Sequence, residues 1–230
     1  MKVLSIQHIL YEDNHILIVN KPAGLLVQGD ATGDTTLLDL AKAYIKQKYD
    51  KPGDVFMGLP HRIDRVTSGL VVLARTSKAL SRLSEAFRSK LVKKQYWMIT
   101  DKYPEPQEGH LVHYLLKDPA KNKVKARRDA RTGYQKAELD YKLIASSGIE
   151  HLLQVDLHTG RPHQIRAQMS TEGMAVYGDV KYGSKYVMPD KSICLHARRL
   201  KLEHPVKKTD MEFIAPIPKL TPWVKFEDWN

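Results

Sequence analysis

The chain has 230 residues, 42% hydrophobic and 27% charged, a composition that suits a globular protein with one sizeable core and excludes a disordered chain. A formal net charge of +11 points to polyanionic partners, and no apolar run approaches the roughly 20 residues that span a bilayer. One cysteine, Cys194, excludes an internal disulfide and a cysteine-based zinc cage; with no apolar signal core in Met1–His8, a cytoplasmic location is expected.

Ile16-Leu17-Ile18-Val19 is a β-branched run that enters a tight turn at Asn20-Lys21-Pro22-Ala23-Gly24, and Leu25-Leu26-Val27 is read as continuing the sheet. Thr36 with Asp39 resembles a capping box, and Leu37, Leu40, Ala41, Tyr44 and Ile45 recur at helical spacing, so residues 36–47 are predicted helical. Residues 58–70 place Asp64 among His61, Arg62 and Arg65 in a loop punctuated by Gly58, Pro60 and Gly69, ahead of the buried strand Val71-Val72-Leu73-Ala74. Taken alone, such an Asp beside arginines reads as an ion pair or an Asx turn. Thr76-Ser77 opens a second helix reaching about Ser89, and Lys93–Thr100 returns to strand composition.

Lys117–Arg131 holds seven Lys or Arg against two Asp; it lacks an apolar face, which favours nucleic acid over lipid, and it reads as a solvated, mobile loop that orders on RNA. Alternation at Ala137, Leu139, Tyr141, Leu143 and at Leu153, Val155, Leu157 predicts an antiparallel hairpin turning near Ser146-Ser147-Gly148. A helix is predicted from about 162 to 172, with His163 and Arg166 on one face and Gly173 as its cap. Leu195–Leu200 opens a last strand or two, and a proline-limited tail follows Ala215-Pro216. Helices that interrupt strands without alternating regularly argue for an α+β fold on a mostly antiparallel, bent mixed sheet, within a single domain whose motif-bearing core covers about 9–218.

Five clusters resemble the RluA-type pseudouridine synthase family, in that family's order. They are Asn20–Leu25; His61-Arg62-Ile63-Asp64 with Thr67-Ser68-Gly69 and Ala74; Lys94 with Tyr96; Thr159–Arg166 with Tyr177-Gly178-Asp179 and Tyr182-Gly183; and Leu195-His196-Ala197 with Ala215-Pro216. Ile63 stands where leucine is usual, Gln28 where histidine is common, and Trp97 and Met98 where smaller residues follow the tyrosine. With the first motif beginning near residue 16, no extra N-terminal RNA-binding module is expected.

The resemblance implies isomerisation of a uridine in ribosomal or transfer RNA, presented in a stem-loop, to pseudouridine. Atoms are conserved in that reaction, so neither cofactor nor metal is expected; DNA is not an expected partner, and a monomer is expected. His110 and His113 share an HxxH spacing, read here as incidental. By resemblance Asp64 is the catalytic carboxylate, Arg166 its cationic partner, and Tyr96 the aromatic floor under the extruded base and the candidate acceptor of its C5 proton. Arg62 is expected to contact RNA or fill the gap left by the base, His61, Thr67, Ser68, Arg161 and His163 to bind RNA, and Ile165 and Leu195 to wall the pocket. A protein that only binds RNA, and a hydrolase that releases the base, are the competing readings. A kinase is excluded: the loop is not His-Arg-Asp, and neither Asp-Phe-Gly nor a Gly-rich loop is present.

Overall fold

The computed structural model describes residues 8–229; residues 1–7, where most of the stretch inspected for a signal core falls, lie outside it. In chain order the elements are β1 (Ile9–Glu12), β2 (Ile16–Lys21), α1 (Leu37–Lys48), β3 (Ser68–Ala74), α2 (Ser77–Arg88), β4 (Lys93–Thr100), β5 (Glu108–Asp118) and β6 (Lys123–Arg127). β7 (Gln135–Ser147), β8 (Glu150–Leu157), α3 (Gln164–Thr171), a 3-10 turn at Val180–Tyr182, β9 (Leu195–Glu203), β10 (Asp210–Ile214) and a closing 3-10 segment at Trp223–Trp229 follow. The architecture is α+β and mostly antiparallel, as patterned. The chain divides into two compact units: one holds the residues up to Val92 with Arg199–Pro216, the other Lys93–Arg198 with the residues from Ile217 on.

In the first unit β2 pairs antiparallel with β1 and with β3, and β9 pairs antiparallel with β10. Ile16 to Val19 are wholly buried and every residue of β3 is buried, which explains continuous apolar runs in place of alternation. Thr36 caps α1 with the full capping box, and Leu37, Ala41 and Ile45 form its buried stripe. Leu25–Val27 does not continue the sheet. Leu26 makes one isolated bridge to Thr36, and the carbonyls of Leu26 and Val27 accept the otherwise unpaired N–H groups of Leu37 and Leu38 in the first turn of α1. β3 also starts earlier than expected, at Ser68, so Ser68-Gly69-Leu70 belongs to the strand and not to the loop.

In the second unit the antiparallel order is β4-β8-β7-β5-β6. The basic 117–131 segment is not the open loop expected of it: it closes as the β5–β6 hairpin, with Leu116 opposite Lys125. Val124 supplies the reason, since it is buried with Leu115, Ala137, Ala167 and Tyr182, and its N–H donates to the Tyr182 hydroxyl at 2.8 Å. The tail is not merely extended: Trp223 and Phe226 are buried with Trp97, Ile99, Leu152, Met188 and Cys194. No described helix is long and apolar enough to cross a membrane.

Candidate active site

The loop that carries Asp64 is fixed at both ends. Gly58 exchanges both backbone hydrogen bonds with Ala74, at 2.7 and 2.8 Å, stitching the loop's start to the end of β3. His61 Nε2 accepts the Val72 N–H at 2.9 Å, and its ring stacks on Phe87 with centroids 4.3 Å apart. His61 therefore holds the loop in place, a structural duty that the sequence did not suggest. The Thr67 N–H closes the loop onto the Asp64 carbonyl at 3.1 Å. Asp64 itself is half-buried, Arg62 exposed, Ile63 and Ser68 buried; the hydroxyl of buried Thr67 has no hydrogen-bond partner among the described residues.

The Asn20–Leu25 turn locks the loop from the other side. Lys21 is completely buried, and its ammonium donates to the carbonyls of Pro22 (2.9 Å), Leu25 (2.8 Å) and Arg65 (3.2 Å). Such a group has three protons to give, and these three bonds use them on two different turns. The Gly24 N–H donates to the Arg65 carbonyl at 2.7 Å, Arg65 Nε returns a bond to the Gly24 carbonyl, and the Arg65 guanidinium reaches Asp34 at 2.8 Å. Buried cation and backbone exchange together place one carboxylate on a stiff support beside a core strand.

The second unit carries Tyr96, Arg161, His163, Ile165, Arg166 and Leu195. Tyr96 lies on β4 opposite Val155 and is half-buried. Arg166 lies in the first turn of α3, nearly fully buried, where Asp179 receives its guanidinium in a two-bond fork at 2.6 and 2.9 Å and the Tyr182 ring lies 4.9 Å away. This fork fixes the side-chain plane. His163 caps α3 in the left-handed region, at φ 50°, and its Nδ1 meets the Tyr182 hydroxyl at 2.8 Å; Pro162 thus precedes the helix. Gln164 shapes the turn before it, since its Oε1 accepts from the Thr159 hydroxyl and the Arg161 N–H, while its Nε2 donates to the Glu138 carbonyl. Arg161 is exposed, with Nε on the Lys136 carbonyl at 3.3 Å, and Ile165 and Leu195 are buried.

In the sequence, Lys21, Asp179 and Tyr182 stand only as parts of motifs. Lys21 as clamp, Asp179 as fork and the Tyr182 hydroxyl between Val124 and His163 depend on partners distant in the chain, which spacing does not reveal. The same holds for the one group among the described residues with the makings of a cation site: His110 on β5, Asp140 on β7 and His158 just past the end of β8. Burial works against charge on Asp140, but hydrogen bonds from His110 and His158 prevail and hold its carboxyl below the usual range.

Comparison with known proteins identifies the family. Residues 15–171 match the family described as RNA pseudouridylate synthase. The ribosomal large subunit pseudouridine synthase D of Zymomonas mobilis is 33% identical over 92% of this chain and 69% of its own length. The ribosomal large subunit pseudouridine synthase C of Rickettsia bellii is 31% identical over 94% of this chain and 70% of its own. Among solved structures, human RNA Pseudouridylate Synthase Domain Containing 4 superposes with a TM-score of 0.76 at 26% identity, covering 93% of this chain and 89% of that one. The motifs, the stiffened aspartate loop and these matches agree, and the chain belongs to the RluA-type RNA pseudouridine synthases, a family of isomerases.

Proposed function

We propose that this enzyme converts a uridine of ribosomal RNA to pseudouridine, with Asp64 as its catalytic carboxylate and Arg166 and Tyr96 completing the site. The observation that carries the reading is the doubly anchored Asp64 loop, tied to β3 through Gly58 and His61 and to the Asn20–Leu25 turn through Lys21. So much backbone hydrogen bonding around one half-buried acid suits a group that must meet a reacting centre in fixed geometry. The names of the relatives support ribosomal RNA as the substrate class.

In this reading the chain acts as a single catalytic domain. The target nucleotide leaves its stack, which costs a few kcal/mol, and the Tyr96 ring offsets that cost by stacking under the base. Asp64 stabilises the electron-poor sugar as the N1–C1′ bond breaks. The base turns over, C5 bonds to C1′, the Tyr96 oxygen takes the C5 proton as its own hydroxyl proton passes to solvent, and N1 takes up a proton from solvent. Arg166, its guanidinium oriented by Asp179, is the cationic partner assigned to the catalytic carboxylate. Arg62 meets the RNA or occupies the space that the base vacates.

The β5–β6 hairpin is the proposed docking surface for the RNA backbone. Lys123, Lys125 and Arg127 alternate with Val124 and Ala126 and line a cleft of about 500 Å³ with Tyr134, Ser170 and Tyr182. Cations beside aromatic rings suit a phosphate backbone with unstacked bases.

Asp64→Asn is expected to abolish tritium release from 5-labelled uridine RNA while leaving RNA affinity within about threefold, since it removes one negative charge and no cationic contact. Wild-type turnover by that variant would remove Asp64 from the chemistry. Mass spectrometry of the product RNA separates isomerisation, which leaves mass unchanged, from hydrolytic loss of the base.

A further inference from the structure

Three side chains with no part in the mechanism converge on the polar face of the second unit. His110 on β5 lies directly across from Asp140 on β7, and His158 extends β8 by one residue, its N–H donating to the Glu138 carbonyl at 3.1 Å. The middle carboxylate binds both rings: His110 Nδ1 lies 2.6 Å from Asp140 Oδ1, and His158 Nε2 lies 2.6 Å from Oδ2. The potential ligand atoms all lie within 4.8 Å of one another. The side chains are 54%, 46% and 46% exposed, so an ion reaches them from solvent and water fills its remaining positions.

We propose that His110, Asp140 and His158 form a binding site for one borderline divalent cation, Zn²⁺ in the first instance, that braces β5, β7 and β8 together. Two imidazoles and a carboxylate are the donor set of Zn²⁺ and its transition-metal neighbours, whereas Mg²⁺ and Ca²⁺ call for oxygen ligands. A metal takes each ring through a nitrogen that carries no proton. In the bound state each ring therefore carries its proton on the nitrogen turned away from the ion. Tetrahedral bonds of about 2.0–2.1 Å set the donor atoms roughly 3.3 Å apart, a widening that rotation of half-exposed side chains provides. Surrounding charge is compatible. The Asp156 carboxylate lies across from Asp140 and is engaged by Gln95 and Gln154, while the nearby ammonium groups of Lys136 and Lys142 are paired with Glu138 and Glu108.

The purified full chain, titrated with Zn²⁺ against a chromophoric chelator, is expected to take up one equivalent. His110→Ala and His158→Ala are each expected to weaken that uptake on the order of 100-fold, and Zn²⁺ should raise the melting temperature of the wild type but of neither variant. Co²⁺ should give visible absorption characteristic of nitrogen and oxygen ligands in the wild type alone. Far-UV circular dichroism verifies that the variants fold, and His158→Gln, which keeps side-chain bulk, must lose the site as well. A wild type that takes up no equivalent, variants that retain it, or displacement by equimolar Mg²⁺ would each overturn the assignment.

Discussion

An ammonium group removed from water needs an acceptor for every proton, and Lys21 finds three, on Pro22, Leu25 and Arg65. Lys21→Met keeps the length and apolar stem of the side chain but strips those carbonyls of their donor, at roughly 1–3 kcal/mol for each one left unsatisfied. A loss of about 3 kcal/mol in urea unfolding is therefore expected; a variant as stable as the wild type would show that the clamp carries little. How far such residues can be read from sequence is uneven. Asp64, Tyr96 and Arg166 stand out because they lie in ordered motifs, so candidates for the chemistry were legible. The groups that aim them were not: Asp179 lies 13 residues beyond Arg166, and the His61 ring is taken up by Val72 and Phe87. Only the fold makes those neighbours.

Among the elements, legibility followed the period of the pattern. α1 and α2 start at Thr36 and Thr76, the caps read from sequence, because a threonine hydroxyl meets the third N–H of its helix in both cases. β7 and β8 were visible through their alternation. β6 alternates too, as Lys-Val-Lys-Ala-Arg, but its charge suggested an open loop and hid the signal. The turn between β1 and β2 carries a further expectation. Asp13 accepts the N–H groups of His15 and Ile16, at 2.8 and 2.9 Å, and the side chains of His204 and Lys207, at 2.8 and 3.0 Å, so one carboxylate ties this turn to the segment between β9 and β10. Burial alone would raise its pKa, but the donors outweigh it and hold the carboxyl well below its ordinary value of 3.8. A group depressed on folding stabilises fully above its unfolded pKa and loses that contribution as pH falls through the folded one. Asp13→Asn should thus cost about 2–3 kcal/mol at neutral pH, and the gap to wild type should close only in strong acid. A gap that closes already near pH 6 in acid-titrated melts would contradict this origin.

At the level of the whole molecule, a net charge of +11 makes RNA affinity a function of salt. Neutralising Lys123, Lys125 and Arg127 together should weaken binding at low salt and flatten the slope of log affinity against log salt by about 2, taking about 0.7 per phosphate contact on single-stranded RNA. An unchanged slope would place the backbone contacts elsewhere. Family and fold class were open to inspection from the chain alone because the motif order spans most of it; the division into two compact units was not, because β9 starts in one and ends in the other.

The lone thiol of the chain is sealed behind Trp223 and Phe226. Cys194 Sγ donates to Met188 Sδ at 3.7 Å, and burial pushes its pKa upward, away from the reactive thiolate. Maleimides and similar reagents will therefore find no native target in the folded protein. A cysteine introduced at the tip of the basic hairpin becomes a unique attachment point for a fluorophore, so the arrival of RNA can be followed without first deleting any natural residue.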